Sequence, residues 1–291
     1  MFNPLDYPIA YMKPRRTSDA LAWLDNIPFA FALVQAHKPE LIVELGTHTG
    51  VSYCAFCQAV EVLGLPTKCY GIDTWEGDEH AGFYGEEIFQ DLVANHEPLY
   101  SNFSKLLRMK FDDALKEFRD GSIDLLHIDG CHEYESVKHD FESWRPKLSS
   151  RSVVLLHDIN AQEPHFGARR FFVELQSRYP VFELTHGYGL GVVAVGEETR
   201  KEPIWSLFEA DTAEVAVIRR FFSSLGNEVL NGCKVEQQGA RIKDLEAQLA
   251  QTNAQLAQAN AQVVSMLRSR SWWLTSPLRW IYRHIFERAD L

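Results

Sequence analysis

The stretch that most constrains the fold of this chain is LIVELGTHTGVS, residues 41–52, where a short apolar run meets two glycines. Four of the five residues from Leu41 to Leu45 are apolar, as is typical of a central strand buried on both faces. Gly46 and Gly50 lack a Cβ atom, so the backbone can turn tightly there and approach a ligand closely. The stretch predicts a strand, a turn and a helix, which form the usual nucleotide site of an open α/β sheet.

The motif ELGTHTG within this stretch narrows the class of ligand. It is neither the dinucleotide motif G-x-G-x-x-G nor a phosphate loop, because GK[ST] is absent. Glu44 places a negative charge before the first glycine, which disfavours a phosphate and favours a cationic or hydroxyl-bearing ligand. Thr47 adds a hydroxyl at the turn. A glycine turn in an unrelated α/β protein is the alternative interpretation.

A second candidate site follows the next predicted strand, KCYGID at residues 68–73. In folds that bind adenosine cofactors, a carboxylate at the end of this strand accepts hydrogen bonds from the ribose hydroxyls. Asp73 holds that position, and an aspartate in a plain strand-end turn is the alternative. Thr74 and Trp75 come next. We expect Trp75 to stack near the adenosine, with packing in a surface loop as the alternative.

Further strands are predicted at residues 105–110, 122–129 and 151–158, with helices between them and an antiparallel hairpin after Pro180. This alternation predicts an α/β fold, a Rossmann-like doubly wound sheet of seven strands. Asp112 opens the helix after the first of these strands. It is a candidate contact for the adenine amino group, and helix capping explains it equally well.

The carboxyl edge of the predicted sheet gathers most of the candidate residues. Ligands in such sheets bind beyond the carboxyl ends of the strands. The side chains predicted at this edge are Thr47, Asp73, Asp129, His132, His157 and Asp158. Because they follow four separate strands, their convergence argues for a site more strongly than any single motif does.

Four motifs, ELGTHTG, GIDTWEGDEHAGFYGEE, SIDLLHIDGCHEYESVKHDFESW and VVLLHDI, occur in this order. Together they resemble the class I S-adenosylmethionine-dependent methyltransferases, in particular the bacterial subfamily known as methyltransferase domain 24, over residues 30–196. The resemblance implies S-adenosylmethionine as the cofactor. It also implies that six residues lie at or near the cofactor: Glu44, Gly46, Thr47, Gly50, Asp73 and Asp129.

A metal site is implied by a further resemblance. The subfamily is similar to metal-assisted O-methyltransferases of sugars and catechols, which place an Asp after the fourth strand and an Asp-Asp or Asp-Asn pair after the fifth. Asp129 matches the first position, whereas His157-Asp158 departs from the pair at one position. The candidate ligands are therefore Asp129, His157 and Asp158. Oxygen ligands suit Mg²⁺, and a histidine among them also admits Mn²⁺, Fe²⁺ or Zn²⁺.

Three histidines are candidates for the catalytic base. Methyl transfer requires the acceptor oxygen to lie in line with the methyl carbon and to lose its proton. His132, three residues after Asp129, is the first candidate because it lies at the carboxyl edge of the sheet. His157 is the second, and His80, in the glycine-rich segment after Trp75, is the third. A structural role is the alternative for each of them.

Charge and cysteine content limit the functional classes. The 291 residues carry a net charge of −11, of which residues 234–291 contribute +3 and the remainder −14. An acidic body argues against nucleic acid as the substrate. The five cysteines, with no apolar run of membrane-spanning length and no signal-peptide pattern, lead us to expect a cytoplasmic protein with free thiols.

The sequence predicts four segments: a methyltransferase domain with a helical lead-in at 1–200, accessory helices at 201–232, a coiled coil at 233–270 and a Trp-rich basic amphipathic tail at 271–291. In the coiled coil, apolar residues recur every seven positions from Val235 to Val263. We expect a homo-oligomer, either a dimer or a trimer, with docking to a helix of another protein as the alternative.

The tail, SRSWWLTSPLRWIYRHIFERADL, predicts a helix that contacts a membrane surface or a glycan-assembly protein. Packing within the coiled-coil assembly is the alternative. Similar tails occur on bacterial cell-surface polysaccharide enzymes. This resemblance implies an O-methyltransferase that acts on a sugar or glycan at the inner face of the cytoplasmic membrane. A small-molecule natural-product O-methyltransferase and a non-catalytic scaffold are the alternatives.

Overall fold

The computed structural model of the protein describes residues 2–78, 82–163 and 166–286. The chain divides into two compact units, residues 1–233 and residues 234–291. The first unit contains the sheet and the helices that cover it, and the described part of the second unit consists of helices separated by single non-helical residues, Ser269 and Thr275.

A mixed sheet of seven strands forms the centre of the first unit. In chain order the strands are β1 (Leu41–Leu45), β2 (Lys68–Asp73), β3 (Gly77–Asp78), β4 (Gly82–Phe83), β5 (Ser104–Arg108), β6 (Ile123–Ile128), β7 (Leu148–His157), β8 (Val181–Leu184) and β9 (Leu190–Ala194). The sheet has the order β5-β2-β1-β6-β7-β9-β8, and β9 runs antiparallel to both of its neighbours. Strands β3 and β4 form a separate antiparallel pair. This topology confirms the predicted Rossmann-like doubly wound fold.

The helices occupy the stretches between strands and the C-terminal third of the chain. In chain order the described α-helices are α1 (Ile27–His37), α2 (Val51–Leu63), α3 (Glu86–Tyr100), α4 (Phe111–Ala114), α5 (Tyr134–Trp144), α6 (Ala168–Gln176), α7 (Trp205–Phe208), α8 (Thr212–Arg268), α9 (Arg270–Leu274) and α10 (Ser276–Phe286).

Two hydrophobic clusters cover the two faces of the sheet. One cluster contains the apolar side chains of α1, α2 and α3, and the other contains those of α4, α5 and α6. On β1, Ile42 packs into the first cluster, whereas Val43 and Leu45 pack into the second. Burial on both faces explains why β1 reads as an almost continuous apolar run.

The segment before β1 begins its α-helix at Ile27, and the residues Leu21–Asn26 form a 3₁₀-helix ahead of it. Pro28 lies in the first turn of α1. A proline is tolerated there because its missing N–H would have no partner within the helix.

Helix α8 continues through the residue at which the sequence analysis separates accessory helices from a coiled coil. Gly232 disfavours a helix by only about 1 kcal/mol relative to alanine, and good helix formers follow it. The apolar residues of the predicted seam are exposed: Val235, Ile242, Leu245, Leu249, Leu256, Val263 and Met266. Within the described ranges, no helix is long and apolar enough to cross a membrane.

Candidate active site

A cavity of about 790 Å³ opens at the carboxyl ends of β1, β2, β5, β6 and β7. Its volume lies in the range typical of small-molecule and cofactor sites. The wall comprises Ala20, Ala22, Trp23, Gly46, Thr47, His48, Thr49, Val51, Ser52, Asp73, Thr74, Gly77, Tyr84, Lys110, Phe111, Asp129, Gly130, Cys131, His132, Ser136, His157 and Asp158. The predicted edge of the sheet is therefore the edge at which this cavity lies.

The glycine turn after β1 packs directly against the loop after β6. Gly46 has a φ of 91°, and a Cβ atom there would lie 2.1 Å from the carbonyl oxygen of Asp129. Gly50 has a φ of 77° and precedes α2, where a Cβ would lie 2.4 Å from the side chain of Leu92. Gly46 thus shapes the cavity wall, whereas Gly50 serves the packing of α2.

Asp73 links this turn to the end of β2. Its Oδ2 atom accepts a hydrogen bond from the backbone N–H of His48 at 2.8 Å, and its Oδ1 atom accepts one from that of Trp75 at 2.8 Å. The carboxylate is largely buried but borders the cavity, as does Thr74. Each carboxylate oxygen can accept a second hydrogen bond, so both retain capacity for a ligand.

The position of Trp75 differs from the prediction that its ring stacks near the adenosine. Trp75 is buried, its Nε1–H donates to the backbone oxygen of His48 at 2.9 Å, and its ring packs against Phe89. The Trp75 ring therefore supports the turn from behind instead of facing the cavity. Phe111, the first residue of α4, lines the cavity and packs against Gly130.

Asp112 is also outside the cavity wall. It is exposed, and its Oδ1 atom lies 2.9 Å from Nε2 of His139 on α5. The wall is formed by the residues immediately before it, Lys110 and Phe111. Asp112 lies in the first turn of α4, which agrees with the alternative that it serves the start of this helix.

Glu44 lies beneath the cavity in a sealed network. Its Oε2 atom is 2.8 Å from Nδ1 of His127, and Nε1–H of Trp23 donates to Nε2 of the same ring at 3.2 Å. The donation by Trp23 places the His127 proton on Nδ1, where it is donated to Glu44. Burial raises the pKa of Glu44, and the hydrogen bond from His127 opposes that rise.

His157 lies between two carboxylates. Its Nδ1 atom is 3.0 Å from Oδ1 of Asp129 and 3.1 Å from Oδ1 of Asp158. Burial lowers the pKa of His157, but the two carboxylates outweigh burial and hold the pKa well above its usual value. Nδ1 of His157 is therefore engaged by both carboxylates, and the ring holds them close together.

His132 forms the pair that faces the cavity. Its Nδ1 atom is 2.9 Å from Oδ2 of Asp158, and its ring stacks on Phe166 with centroids 4.5 Å apart. Burial lowers the pKa of His132, but the hydrogen bond to Asp158 and the negative charges of Asp158 and Asp129 together outweigh burial, so the pKa lies above its usual value. Because Asp158 engages Nδ1, Nε2 is the ring nitrogen left for a ligand.

Three of these side chains could hold a metal. Among the described residues, ligand atoms of Asp129, His132 and Asp158 lie within 4.8 Å of one another. Two carboxylates and an imidazole fit a divalent cation, and the nitrogen ligand suits Mn²⁺, Fe²⁺ or Zn²⁺ better than Mg²⁺. This group contains His132 in place of the predicted ligand His157, whose Nδ1 atom contacts both carboxylates.

The N-terminal segment completes the wall, and the sequence analysis did not identify it. Arg16 donates two hydrogen bonds to the backbone oxygen of Thr49, at 3.0 and 2.8 Å, and forms an ion pair with Asp91. Ser18 Oγ lies 3.0 Å from Thr49 Oγ1. These contacts fix the segment that carries Trp23 to the wall. The partners are more than 30 residues apart in sequence, so no local pattern signals them.

The predicted site residues thus fall into three groups. Those at the cavity wall are Gly46, Thr47, Asp73, Thr74, Asp129, His132, His157 and Asp158. Those behind or outside it are Glu44, Gly50, Trp75 and Asp112. His80 lies outside the described residues.

A family model described as a methyltransferase domain matches residues 43–159. This range contains the strand ends that form most of the cavity wall. The uncharacterized protein y4gI from Sinorhizobium fredii is 51% identical over 177 residues, which cover 61% of this chain and 19% of that protein. The chain therefore spans about a fifth of the length of this relative.

Solved methyltransferase structures are similar at lower identity. A methyltransferase from Geobacter sulfurreducens is 17% identical, with 58% of this chain and 78% of that chain covered and a TM-score of 0.46. The SAH-bound methyltransferase PaMTH1 from Podospora anserina is 14% identical, with 61% and 88% covered and a TM-score of 0.46.

The family match confirms the resemblance drawn from the four motifs, and with it S-adenosylmethionine as the cofactor of the matched domain. The strand order brings the motif residues around one cavity, as the resemblance implies. Residues 43–159 thus match the methyltransferase domain 24 family of S-adenosylmethionine-dependent methyltransferases.

Proposed function

We propose that this protein transfers a methyl group from S-adenosylmethionine to a hydroxyl oxygen of a sugar or glycan. The observation that carries the proposal is the His132–Asp158 pair, which lies at the wall of the same cavity as the glycine turn and Asp73. A proton acceptor therefore borders the space that the cofactor residues enclose.

The cofactor contacts follow from the wall residues. Asp73 retains acceptor capacity on both oxygens, which suits the two ribose hydroxyls. Phe111 supplies an apolar surface for the adenine, in the role that the sequence analysis gave to Trp75. Gly46 lets the turn at the cavity wall pack closely on the loop after β6, since a Cβ there would lie 2.1 Å from the backbone oxygen of Asp129.

The chemistry of the transfer sets the role of each side chain. S-adenosylmethionine supplies an electrophilic methyl carbon on a sulfonium, which leaves as a neutral thioether. Nε2 of His132 takes the proton from the acceptor hydroxyl as the new oxygen–carbon bond forms. Asp158 holds the imidazole through Nδ1 and stabilises the imidazolium that results. His157 positions Asp158 through its Nδ1 atom, which lies 3.1 Å from Oδ1 of Asp158.

A divalent metal gives a second version of the same function. Asp129, Asp158 and His132 would hold it, and it would lower the pKa of a bound hydroxyl by acting as a Lewis acid. In that version His132 is a ligand and is not available as the base. Turnover that is lost when metal is removed would favour the metal version, and turnover that persists would favour His132 as the base.

The acceptor class rests on the C-terminal tail. Residues 268–286, which include the start of the tail and stop before its two acidic residues Glu287 and Asp290, carry four arginines and no acidic residue. Trp273, Trp280 and Leu278 are exposed there, and the Arg279 guanidinium lies 3.7 Å from the Trp272 ring centroid. We propose that this segment binds an anionic membrane surface, as basic tryptophan-rich helices do. A glycan under assembly at a membrane is a hydroxyl-bearing acceptor that fits such a location.

The first experiment is calorimetric titration of the full chain with S-adenosylmethionine. We expect micromolar binding, with Asp73→Asn weakening it at least tenfold and Asp112→Asn leaving it unchanged, since Asp112 lies outside the wall. Absence of binding by well-folded protein would favour the scaffold alternative.

The second experiment measures release of S-adenosylhomocysteine with mono- and oligosaccharides and with a catechol as acceptors. Turnover with saccharides supports the proposal, and turnover restricted to the catechol supports the small-molecule alternative.

The same assay after EDTA treatment and after addition of Mn²⁺ or Mg²⁺ decides between the two versions of the chemistry. Flotation with anionic and with neutral vesicles tests the tail.

A further inference from the structure

The C-terminal part of α8 exposes an apolar stripe that its own unit does not cover. Positions 235, 242, 249, 256 and 263 form one row of the stripe, here called the a positions of the seam, and the residues three positions later form its d positions. Leu249 and Leu256 are 62% and 58% exposed. From Val235 to Met266 the seam is about 48 Å long at 1.5 Å per residue.

We propose that two copies of this chain pair through residues 235–266 as a parallel, in-register, two-stranded coiled coil. This inference goes beyond the proposed function and does not depend on it. Three features of the seam favour this arrangement over others: its flanking charges, its polar position and the shapes of its apolar residues.

The flanking charges are complementary in the parallel arrangement. In a parallel pair, a g residue of one helix faces the e residue five positions later on the second helix. Arg241 is a g residue and Glu246 is the e residue five positions later, so each copy's Arg241 faces Glu246 of the second copy. Arg241 also pairs with Asp244 in its own helix, at 2.9 Å and in an exposed position.

In an antiparallel pair, g residues face g residues and e residues face e residues. With the two seams fully overlapped, Arg241 would then lie near Gln262 and Glu246 near Asn253. Neither contact pairs opposite charges. The charges therefore favour the parallel arrangement.

The polar position sets the register. Gln238 holds a d position, and in a parallel in-register pair it meets Gln238 of the second copy, with which its amide can exchange hydrogen bonds. A shift by one heptad would place this amide against Leu245 and leave it unpaired, which is unfavourable. Thr252, also at d, is already satisfied, because its hydroxyl donates to the backbone oxygen of Gln248 at 2.9 Å.

The apolar residues favour two strands. Val235, Ile242 and Val263 are β-branched residues at a positions, and Leu245 is at d. β-branched a positions with leucine at d favour dimers over trimers and tetramers. In such a dimer, the two copies of α9 and α10 follow the coiled coil at the same end, so the basic tryptophan-rich segments lie side by side.

Sedimentation velocity of the full chain tests the number of copies. We expect a dimer at micromolar concentration, and we expect Leu249→Lys to give a folded monomer. Ala250→Lys, on the neighbouring position outside the seam, is the matched control and leaves the dimer intact. A monomeric or trimeric wild-type chain would overturn the proposal.

Disulfide formation tests direction and register. In the proposed pair, Ile242→Cys places two thiols opposite each other and gives an oxidised dimer on a non-reducing gel. In an antiparallel pair the two copies of residue 242 lie far apart, because residue 242 then faces residue 259. Ala247→Cys, at an outward f position, is the control and gives no dimer above the wild-type background. Absence of the Ile242→Cys dimer in a dimeric protein would overturn the parallel arrangement.

Exchange of the flanking charges tests the pairing without disturbing the apolar seam. Arg241→Glu and Glu246→Arg should each raise the dissociation constant of the dimer about tenfold, because each creates two like-charge contacts. The double variant should return to within about threefold of wild type. Lys243→Glu, at an outward b position, should have no comparable effect. Failure of the double variant to restore affinity contradicts the assigned pairing.

Discussion

Two of the acid–imidazole pairs in the first unit, Glu44–His127 and Asp158–His132, have nearly the same geometry. Oε2 of Glu44 is 2.8 Å from Nδ1 of His127, and Oδ2 of Asp158 is 2.9 Å from Nδ1 of His132. Neither side chain of the first pair has exposed surface, whereas 22% of the His132 side chain is exposed. The same two chemical groups are thus sealed in one place and open to a cavity in the other.

The second nitrogen of each ring explains what this difference means. Nε2 of His127 accepts a hydrogen bond from Trp23, so both ring nitrogens are engaged inside the protein. Nε2 of His132 remains for a ligand of the cavity. An imidazole held by a carboxylate is therefore a structural group when its second nitrogen is engaged, and a proton acceptor when that nitrogen meets a ligand.

The largest expected effect is on turnover. His132→Ala should lower kcat by a factor of about 10²–10⁴, since general-base catalysis contributes that much. The unfolding midpoint should change little, because His132 lies at the cavity wall. His139→Ala is the matched control, because His139 is an exposed histidine on α5 whose partner is Asp112. Full activity of His132→Ala would show that the Asp158–His132 pair takes no part in the mechanism.

Substitutions in the sealed pair, Glu44–His127, should lower the stability of the fold. His127→Ala should lower the free energy of unfolding by about 3–5 kcal/mol, because it leaves the buried carboxylate of Glu44 without its partner. Glu44→Gln should cost less, since its amide oxygen can still accept the hydrogen bond from Nδ1 of His127. Urea unfolding followed by circular dichroism measures both. Equal losses for the two variants would contradict the assigned asymmetry.

A smaller effect is expected at the outer end of the sealed network. Trp23→Phe removes the indole N–H and leaves Nε2 of His127 without a donor, which should cost about 1–3 kcal/mol of stability. Trp205→Phe deletes the same atom where its acceptor, Glu209, is exposed, and should stay within about 0.5 kcal/mol of wild type. Similar losses in both variants would mean that ring size, and not the hydrogen bond, is what matters.

The sequence predicted the fold and the edge of the sheet because those depend on short-range patterns. β1 and β2 occupy the predicted stretches, and residues at or directly after the carboxyl ends of the parallel strands border the cavity. Asp73 and Asp129 are among them, because a residue at a strand end is placed by the strand itself.

The sealed pair could not be predicted in the same way. Glu44 and His127 lie directly opposite each other on the neighbouring strands β1 and β6. Strand order and register come from tertiary packing, and no local pattern indicates that these two residues meet. Trp23 reaches His127 from 104 positions away. The position of Trp75 just after β2 predicts a ring at the cavity. A side chain next to a strand end can also turn into the core, and the Trp75 ring does so.

Another buried carboxyl, that of Asp140, can be compared with the carboxyls of the two pairs. Asp140 on α5 is buried, and its pKa is raised to about 7 by burial, with a contribution from Asp112 and an opposing one from His139. An acid whose folded pKa exceeds its unfolded value stabilises the fold below the unfolded value, and this stability is lost as pH rises through the folded pKa. For Asp140 the window runs from about 4 to about 7.

Removal of this ionisable group should therefore change the pH dependence of stability. Between pH 6 and pH 8 the wild-type protein should lose about 1 kcal/mol of unfolding free energy through Asp140, and Asp140→Asn should remove that part of the loss. Urea unfolding at both pH values gives the difference, with Asp113→Asn, at an exposed position of α4, as the control. An unchanged difference in Asp140→Asn would mean that Asp140 ionises freely in the folded protein. Burial alone would then not be enough to keep the carboxyl of Asp140 protonated at neutral pH.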